Sequence, residues 1–254
     1  MAANIAIEFK FQIEILVIFY FLVYFRCFYE DGAIIKEFFM PEVVLNELVE
    51  RYPVLKCVKD DVFNAYKVLE ACFERDCTLF TCGNGGSSAD ADHIVGEMLK
   101  AFVLPRPLLT REQRFLKKSG CIGSIDLMNK LQRGLKAVNL MSQTAIYSAA
   151  TNDLSPDMGI AQTLCGLGRK DDVLLGISTS GNAKNIYYAC QVAKMRKMKI
   201  IGLTGKSGGL LKSMADVCIV VPEKETFKIQ ELHLPIYHAL CMMVEKRFFE
   251  NDEK

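Results

Sequence analysis

The stretch Thr78-Leu79-Phe80-Thr81-Cys82-Gly83-Asn84-Gly85-Gly86-Ser87-Ser88 passes from a short apolar strand, through a glycine-rich loop, into the start of a helix. A second stretch repeats that order. Asp172 to Gly176 reads as a strand, Gly176-Ile177-Ser178-Thr179-Ser180-Gly181-Asn182 as a Gly/Ser loop, and Ala183 to Arg196 as a helix. Glycines let the backbone turn tightly and approach a ligand. The unpaired N–H groups and positive end of the following helix then face negative charge. The hydroxyls of Ser87, Ser178, Thr179 and Ser180 can add donors. Both loops therefore predict a site for a ligand that carries a phosphate. Neither fits the mononucleotide pattern G-x-x-x-x-G-K-[ST] or the dinucleotide pattern G-x-G-x-x-G.

Working outward, Pro53 to Arg75 places Val54, Val58, Val62, Ala65, Leu69 and Cys72 near helical spacing. A helix is expected from Ser88 to Ala101, ended by Pro105 and Pro107. Residues 106–140 are charged and helical in pattern, with breaks at Ser119-Gly120 and Gly123. Thr144-Ala145-Ile146-Tyr147 predicts a short strand and Ser155 to Gly166 a helix. Strands are also predicted at Lys199–Thr204 and Val217–Val221, and a long helix at Phe227–Phe249. Short strands alternating with helices imply an α/β fold: a three-layer sandwich with a central parallel sheet of about five strands flanked by helices. In such folds ligands sit beyond the carboxyl ends of the strands, where the strand order breaks.

The bulk numbers narrow the class. The chain has 254 residues, enough for one large domain, or one domain with an extension. Thirty-one Lys and Arg against 30 Asp and Glu leave a net charge of +1, and no nucleic-acid partner is expected from so even a balance. Ten cysteines are scattered through apolar segments without a C-x-x-C pair, which fits free thiols in a reducing cytoplasm. The N-terminus is unusual. Ile15 to Phe25 is unbroken apolar sequence, bounded by Glu14 and Arg26, and is shorter than the roughly 20 residues that cross a bilayer. Its flanks do not suit a signal peptide. A membrane-surface anchor, a helix packed in an oligomer and sequence that is not natively translated all remain open. Residues 1–39 are therefore read as an atypical apolar extension, and residues 40–254 as the domain proper, with a helical insertion at about 106–140.

There are three histidines, His93, His233 and His238. His93 and Glu97 stand four apart on the helix that leaves the first loop, so they share a face with about 5–6 Å between Cβ atoms. A carboxylate beside an imidazole can serve as an acid/base pair or as half of a divalent metal site. It can equally be a solvated contact on a helix face. Asp90 and Asp92 crowd the same helix. The second cluster is Gln230-Glu231-Leu232-His233 with His238. Spacing alone does not choose between His233 and His238, and either can be a core or interface histidine.

The segments CGNGGSSADADHIVGE (82–97), ATNDLS (150–155), ISTSGNAKN (177–185), IGLTGKSGG (201–209) and IQELHLPIYH (229–238) together resemble the sugar isomerase (SIS) domain family, and within it the phosphoheptose isomerases. The resemblance covers about residues 45–249, with 106–140 partly outside it. It implies an aldose–ketose isomerase acting on a phosphorylated sugar through an enediol, with sedoheptulose 7-phosphate and D-glycero-D-manno-heptose 7-phosphate as the pair. It places zinc ligands at His93, Glu97, Gln230 and His238. It places substrate contacts at Asn84, Gly85, Gly86, Glu97, Asn152, Asp153, Ser178, Thr179, Ser180 and Gln230, with Glu97 and His238 as the catalytic pair. It further implies a homodimer or homotetramer whose active sites are lined by more than one chain. One departure stands out: where the family usually has a serine after Ser-Gly-Asn, this chain has Ala183. The rival reading is a SIS protein without catalysis, either a phosphosugar sensor or an adaptor in replication initiation. The set His93, Glu97, Gln230 and His238 argues against that reading, because a binding module has no need of it. The segment Arg106 to Lys118 is expected to cap the cleft, reach a neighbouring subunit or form a plain surface insertion.

Overall fold

In the computed structural model the described residues are 32–250, with side chains described from residue 41. The apolar run Ile15–Phe25 lies outside them. The chain divides into two compact units, Met1–Glu42 and Val43–Lys254, and the candidate site lies wholly in the second. No helix among the described residues is long and apolar enough to cross a membrane.

The elements are α1 (Gly32–Arg51), a 3-10 turn (Pro53–Val58), α2 (Lys59–Glu74), β1 (Leu79–Cys82), α3 (Gly86–Leu99), α4 (Thr110–Ser119), α5 (Ser124–Lys130), β2 (Ala137–Asn139), α6 (Thr144–Asp153), α7 (Gly159–Leu167), β3 (Val173–Ser178), α8 (Lys184–Met195), β4 (Lys199–Thr204), α9 (Gly209–Met214), β5 (Val217–Val220) and α10 (Thr226–Phe249). The five strands form one parallel sheet in the order β2-β1-β3-β4-β5.

Alternation along the strands divides the core. Val173, Leu175 and Ile177 of β3 and Ile201 and Leu203 of β4 face one side, where they pack with Val62, Leu69, Ile94, Met98, Ile236 and Leu240 from α2, α3 and α10. Leu174 and Ile200 face the other side and meet Ile160, Leu164, Ile186 and Ala189 from α7 and α8. Each of these buried Val, Leu, Ile and Met side chains contributes about 2 kcal/mol. At the amino ends of the strands, Asp172 accepts from the Thr78 and Arg169 backbone N–H groups, both at 2.8 Å, and so sets the start of β3 against that of β1.

Two expectations need correction. Thr144–Tyr147 is not a strand. It opens α6, whose run Ala145-Ile146-Tyr147-Ser148-Ala149-Ala150 has enough alanine to outweigh the β-leaning Ile and Tyr. The edge strand falls instead at Ala137–Asn139, three residues at the end of the segment read as insertion. The second correction concerns Arg106, which is neither a cap on the cleft nor a surface cation. It is 1% exposed and paired at 2.8 Å with Glu245, itself 1% exposed. The Arg106 guanidinium also donates to the Glu97 and Met98 carbonyls, and Glu245 accepts from the N–H groups of Phe102, Val103 and Leu104. This buried clasp ties the C-terminal turn of α3 to α10. The rest of the segment is exposed in part: Phe115, Ile122 and Ile125 face solvent.

Candidate active site

β1 and β3 are neighbours, with Cys82 level with Gly176, so both Gly/Ser loops leave the same end of the sheet. β2 lies on one side of β1 and β3 on the other, so the strand order reverses there and opens a crevice at the carboxyl ends.

In the first loop Gly85 takes φ +55 as the residue before α3. Gly86 is needed for a different reason: a Cβ there would lie 2.6 Å from Gln230 Nε2. Its absence lets α10 bring Gln230 against the loop. In the second loop Gly181 takes φ +68, and a Cβ would lie 1.9 Å from the Gly208 carbonyl oxygen, so the chain at 205–209 fits closely behind it. Asn182 Oδ1 accepts from Leu210 N–H at 3.0 Å and Gly181 O from Leu211 N–H at 2.9 Å, which fixes that fit. Ser87 and Ser178 are buried at the loop bases, and Thr179 and Ser180 are partly open. Ala183 precedes α8 and offers no side-chain cap.

Asn185 was missed as a site residue in the sequence. Its Nδ2 donates to Asn84 Oδ1 at 2.8 Å and its Oδ1 accepts from Asn84 Nδ2 at 3.0 Å. The two loops are thus clasped to each other by a paired amide, and the Asn84 amide is turned to its neighbouring loop. Asn152 and Asp153 take no part in this clasp. They end α6, exposed, with Asn152 Nδ2 donating to Asp153 at 2.8 Å, and among the described residues no hydrogen bond joins them to the loops.

The acid/base cluster is built by α3 and α10. His93 Nε2 lies 3.2 Å from Glu97 Oε1, and the His93 and His238 rings meet edge-on with centroids 5.0 Å apart. Glu97 Oε2 and His238 Nε2 are buried without a hydrogen-bond partner. The Lys100 ammonium stands 3.5 Å from Glu97 Oε2, within ion-pair range but outside hydrogen-bonding geometry. Burial, and then the neighbouring His93, lower the His238 pKa, with Glu97 opposing them. His238 is therefore neutral at pH 7. Sequence spacing left His233 open, and it proves to be a core residue, fully buried near the Thr204 backbone. Of the four inferred ligands, His93, Glu97 and His238 form one cluster, while Gln230 lies against Gly86 at the first loop. Among the described residues no three His, Cys, Asp or Glu side chains are gathered closely enough to hold an ion as they stand.

Residues 149–243 match the SIS domain model. A phosphoheptose isomerase from a Nitratiruptor species is 35% identical over 213 residues, covering 82% of this chain and the whole of that protein. The chain belongs to the SIS domain family. Two solved phosphoheptose isomerases share the SIS fold with it. The one from Francisella tularensis has a TM-score of 0.64 at 28% identity and covers 77% of this chain and 91% of that one. The one from Neisseria gonorrhoeae has a TM-score of 0.60 at 29% identity and covers 85% and 98%. The kinship to SIS isomerases of phosphorylated sugars thus spans the loops and the cluster together.

Proposed function

We propose that this protein is an aldose–ketose isomerase for a phosphorylated sugar, interconverting sedoheptulose 7-phosphate and D-glycero-D-manno-heptose 7-phosphate. The observation that carries the reading is a pair of Gly/Ser loops leaving the same end of the sheet, the first of them starting the helix on which a Glu97 carboxylate oxygen is buried without a hydrogen-bond partner near the His93 and His238 imidazoles. The phosphate binds at the Gly/Ser loops, where backbone N–H groups and the hydroxyls of Ser178, Thr179 and Ser180 hold it. Binding energy from this remote group orients the reacting carbons. Glu97 takes a proton from C1 of the ketose and returns it to C2 of the enediol. His238 carries the matching proton between the two oxygens, so that O2 gains one as O1 loses one.

The side chains also suit a zinc ion. The donors are two imidazoles, a carboxylate and an amide, and two of their atoms are buried without a hydrogen-bond partner, as suits an N/O-ligated cation. His93, Glu97, Gln230 and His238 would hold it. Bound there, it would polarise the carbonyl and the adjacent hydroxyl. The proposal extends to an assembly of two or four chains in the cytoplasm. The nine cysteines among the described residues are all free, in keeping with a reducing compartment.

The test is to incubate the purified protein with sedoheptulose 7-phosphate and a panel of five- to seven-carbon ketose phosphates, with and without added zinc. Isomer formation, fastest with the seven-carbon sugar, is expected. Binding without turnover on any member of the panel would turn the reading to a phosphosugar sensor.

A further inference from the structure

Tyr237 is 1% exposed and sits beside His238 on α10, yet its hydroxyl belongs to the other helix of the site. It lies 3.1 Å from His93 Nδ1 and 3.3 Å from Asp90 Oδ1. Its ring packs edge-on against His93, with centroids 5.4 Å apart, and against His238, at 5.0 Å. Asp90, His93 and Glu97 occupy successive turns of α3, so the hydroxyl closes a line from Asp90 through His93 to Glu97.

A phenol has one proton to donate, and here it has two acceptors. At neutral pH a tyrosine phenol keeps that proton. If it points to His93, then Nδ1 is bare, Nε2 carries the ring hydrogen and donates to Glu97, and Asp90 loses its partner. If it points to Asp90, the bond is charge-assisted and stronger. The phenol oxygen then accepts from Nδ1–H, and Nε2 presents a lone pair toward Glu97 Oε1 at 3.2 Å. Two lone-pair atoms at that distance call for a cation beside them. Only this second arrangement makes His93 a ligand.

We propose that Tyr237, held by Asp90, is a positioning residue that fixes His93 in its Nδ1–H tautomer and so prepares Nε2 to bind a divalent cation together with Glu97. This rests on the metal-assisted isomerase reading above. It adds to that reading two residues which touch neither the sugar nor the ion.

The test uses the full chain with zinc alone as the probe. Tyr237→Phe keeps both ring contacts and removes only the hydroxyl. Its zinc affinity, measured by competition with a chromophoric chelator, should fall about 10- to 100-fold, the range typical for loss of a partner that orients a ligating histidine. In the zinc-loaded wild type, nitrogen-15 NMR should find the His93 hydrogen on Nδ1. At saturating zinc kcat should fall while KM for the sugar phosphate holds, and Tm should move little. Asp90→Asn removes the charge that draws the phenolic proton and should weaken zinc in the same direction, about tenfold. It decides the matter if the phenylalanine variant fails to fold. Unchanged zinc affinity in a folded variant, in a protein that binds zinc and isomerises, would overturn the role of Tyr237 and leave the isomerase reading standing. A wild-type protein that takes up no zinc would overturn the metal reading and this inference together.

Discussion

The first Gly/Ser loop launches a helix that carries Asp90, His93 and Glu97. The second launches a helix whose opening turns hold Lys184, Asn185 and two tyrosines. Both loops leave adjacent parallel strands at the same level, and both are rich in small residues. The difference lies in what packs against them. α10 crosses the first loop and brings Gln230, Tyr237 and His238 to α3, whereas the second loop is backed by the 205–209 turn, with Thr179 and Ser180 partly open. Similar backbone therefore serves two tasks. In the proposed mechanism one loop starts the helix that holds the reacting groups, and the other binds the phosphate of the substrate. The Asn84–Asn185 amide pair keeps the two at a fixed separation.

The sharpest way to separate the loops is through their glycines. At Gly181 an alanine meets both a positive φ and the Gly208 carbonyl, while at Gly85 it meets a positive φ with open space around it. Gly181→Ala should cost about 4 kcal/mol of stability and Gly85→Ala about 1–2 kcal/mol, read by urea unfolding. Equal costs would mean that the backing of the second loop does not distinguish it.

The two histidines of α10 extend the comparison. Burial pushes the His233 pKa down to about 4, against the opposing pull of the Thr204 backbone. Between pH 6.5 and 4 the unfolded chain binds a proton there that the folded chain refuses. Stability therefore falls as pH drops through that window and is fully present above it, a difference on the order of 3 kcal/mol. His233→Leu should remove this slope in unfolding measurements across the window. A variant with the wild-type slope would show that His233 is not the residue refusing the proton. His238, partly exposed, should add a smaller contribution of the same sign.

The smallest effect concerns the amide clasp. Alanine at Asn84, at Asn185 and at both should give a coupling energy of about 1 kcal/mol in sugar-phosphate affinity. Additive losses would mean that the loops are set independently.

These contrasts also explain what could be read from the sequence. The loops, strands β1, β3, β4 and β5, and the long last helix were legible because glycine clusters and apolar alternation are local signals. The His93–Glu97 pair was legible because it lies within one helix. β2 was not, since Ala137–Asn139 is too short to show alternation, and the nearby Ile146-Tyr147 looked more strand-like than it is. The roles of Asn185 and Tyr237 were hidden by distance along the chain. They pair with residues 101 and 144 positions away, through contacts that no spacing rule reports. Arg106 misled for a related reason: a cation in a charged segment reads as surface, and its partner Glu245 lies on α10.

The most direct measurement of the central claim follows sedoheptulose 7-phosphate in deuterated water by NMR. The wild-type protein should place solvent deuterium at C2 of the aldose product. Glu97→Gln should still bind the sugar phosphate but exchange and isomerise at least about 100-fold more slowly. Exchange at the wild-type rate in that variant would contradict the assignment of Glu97 as the base.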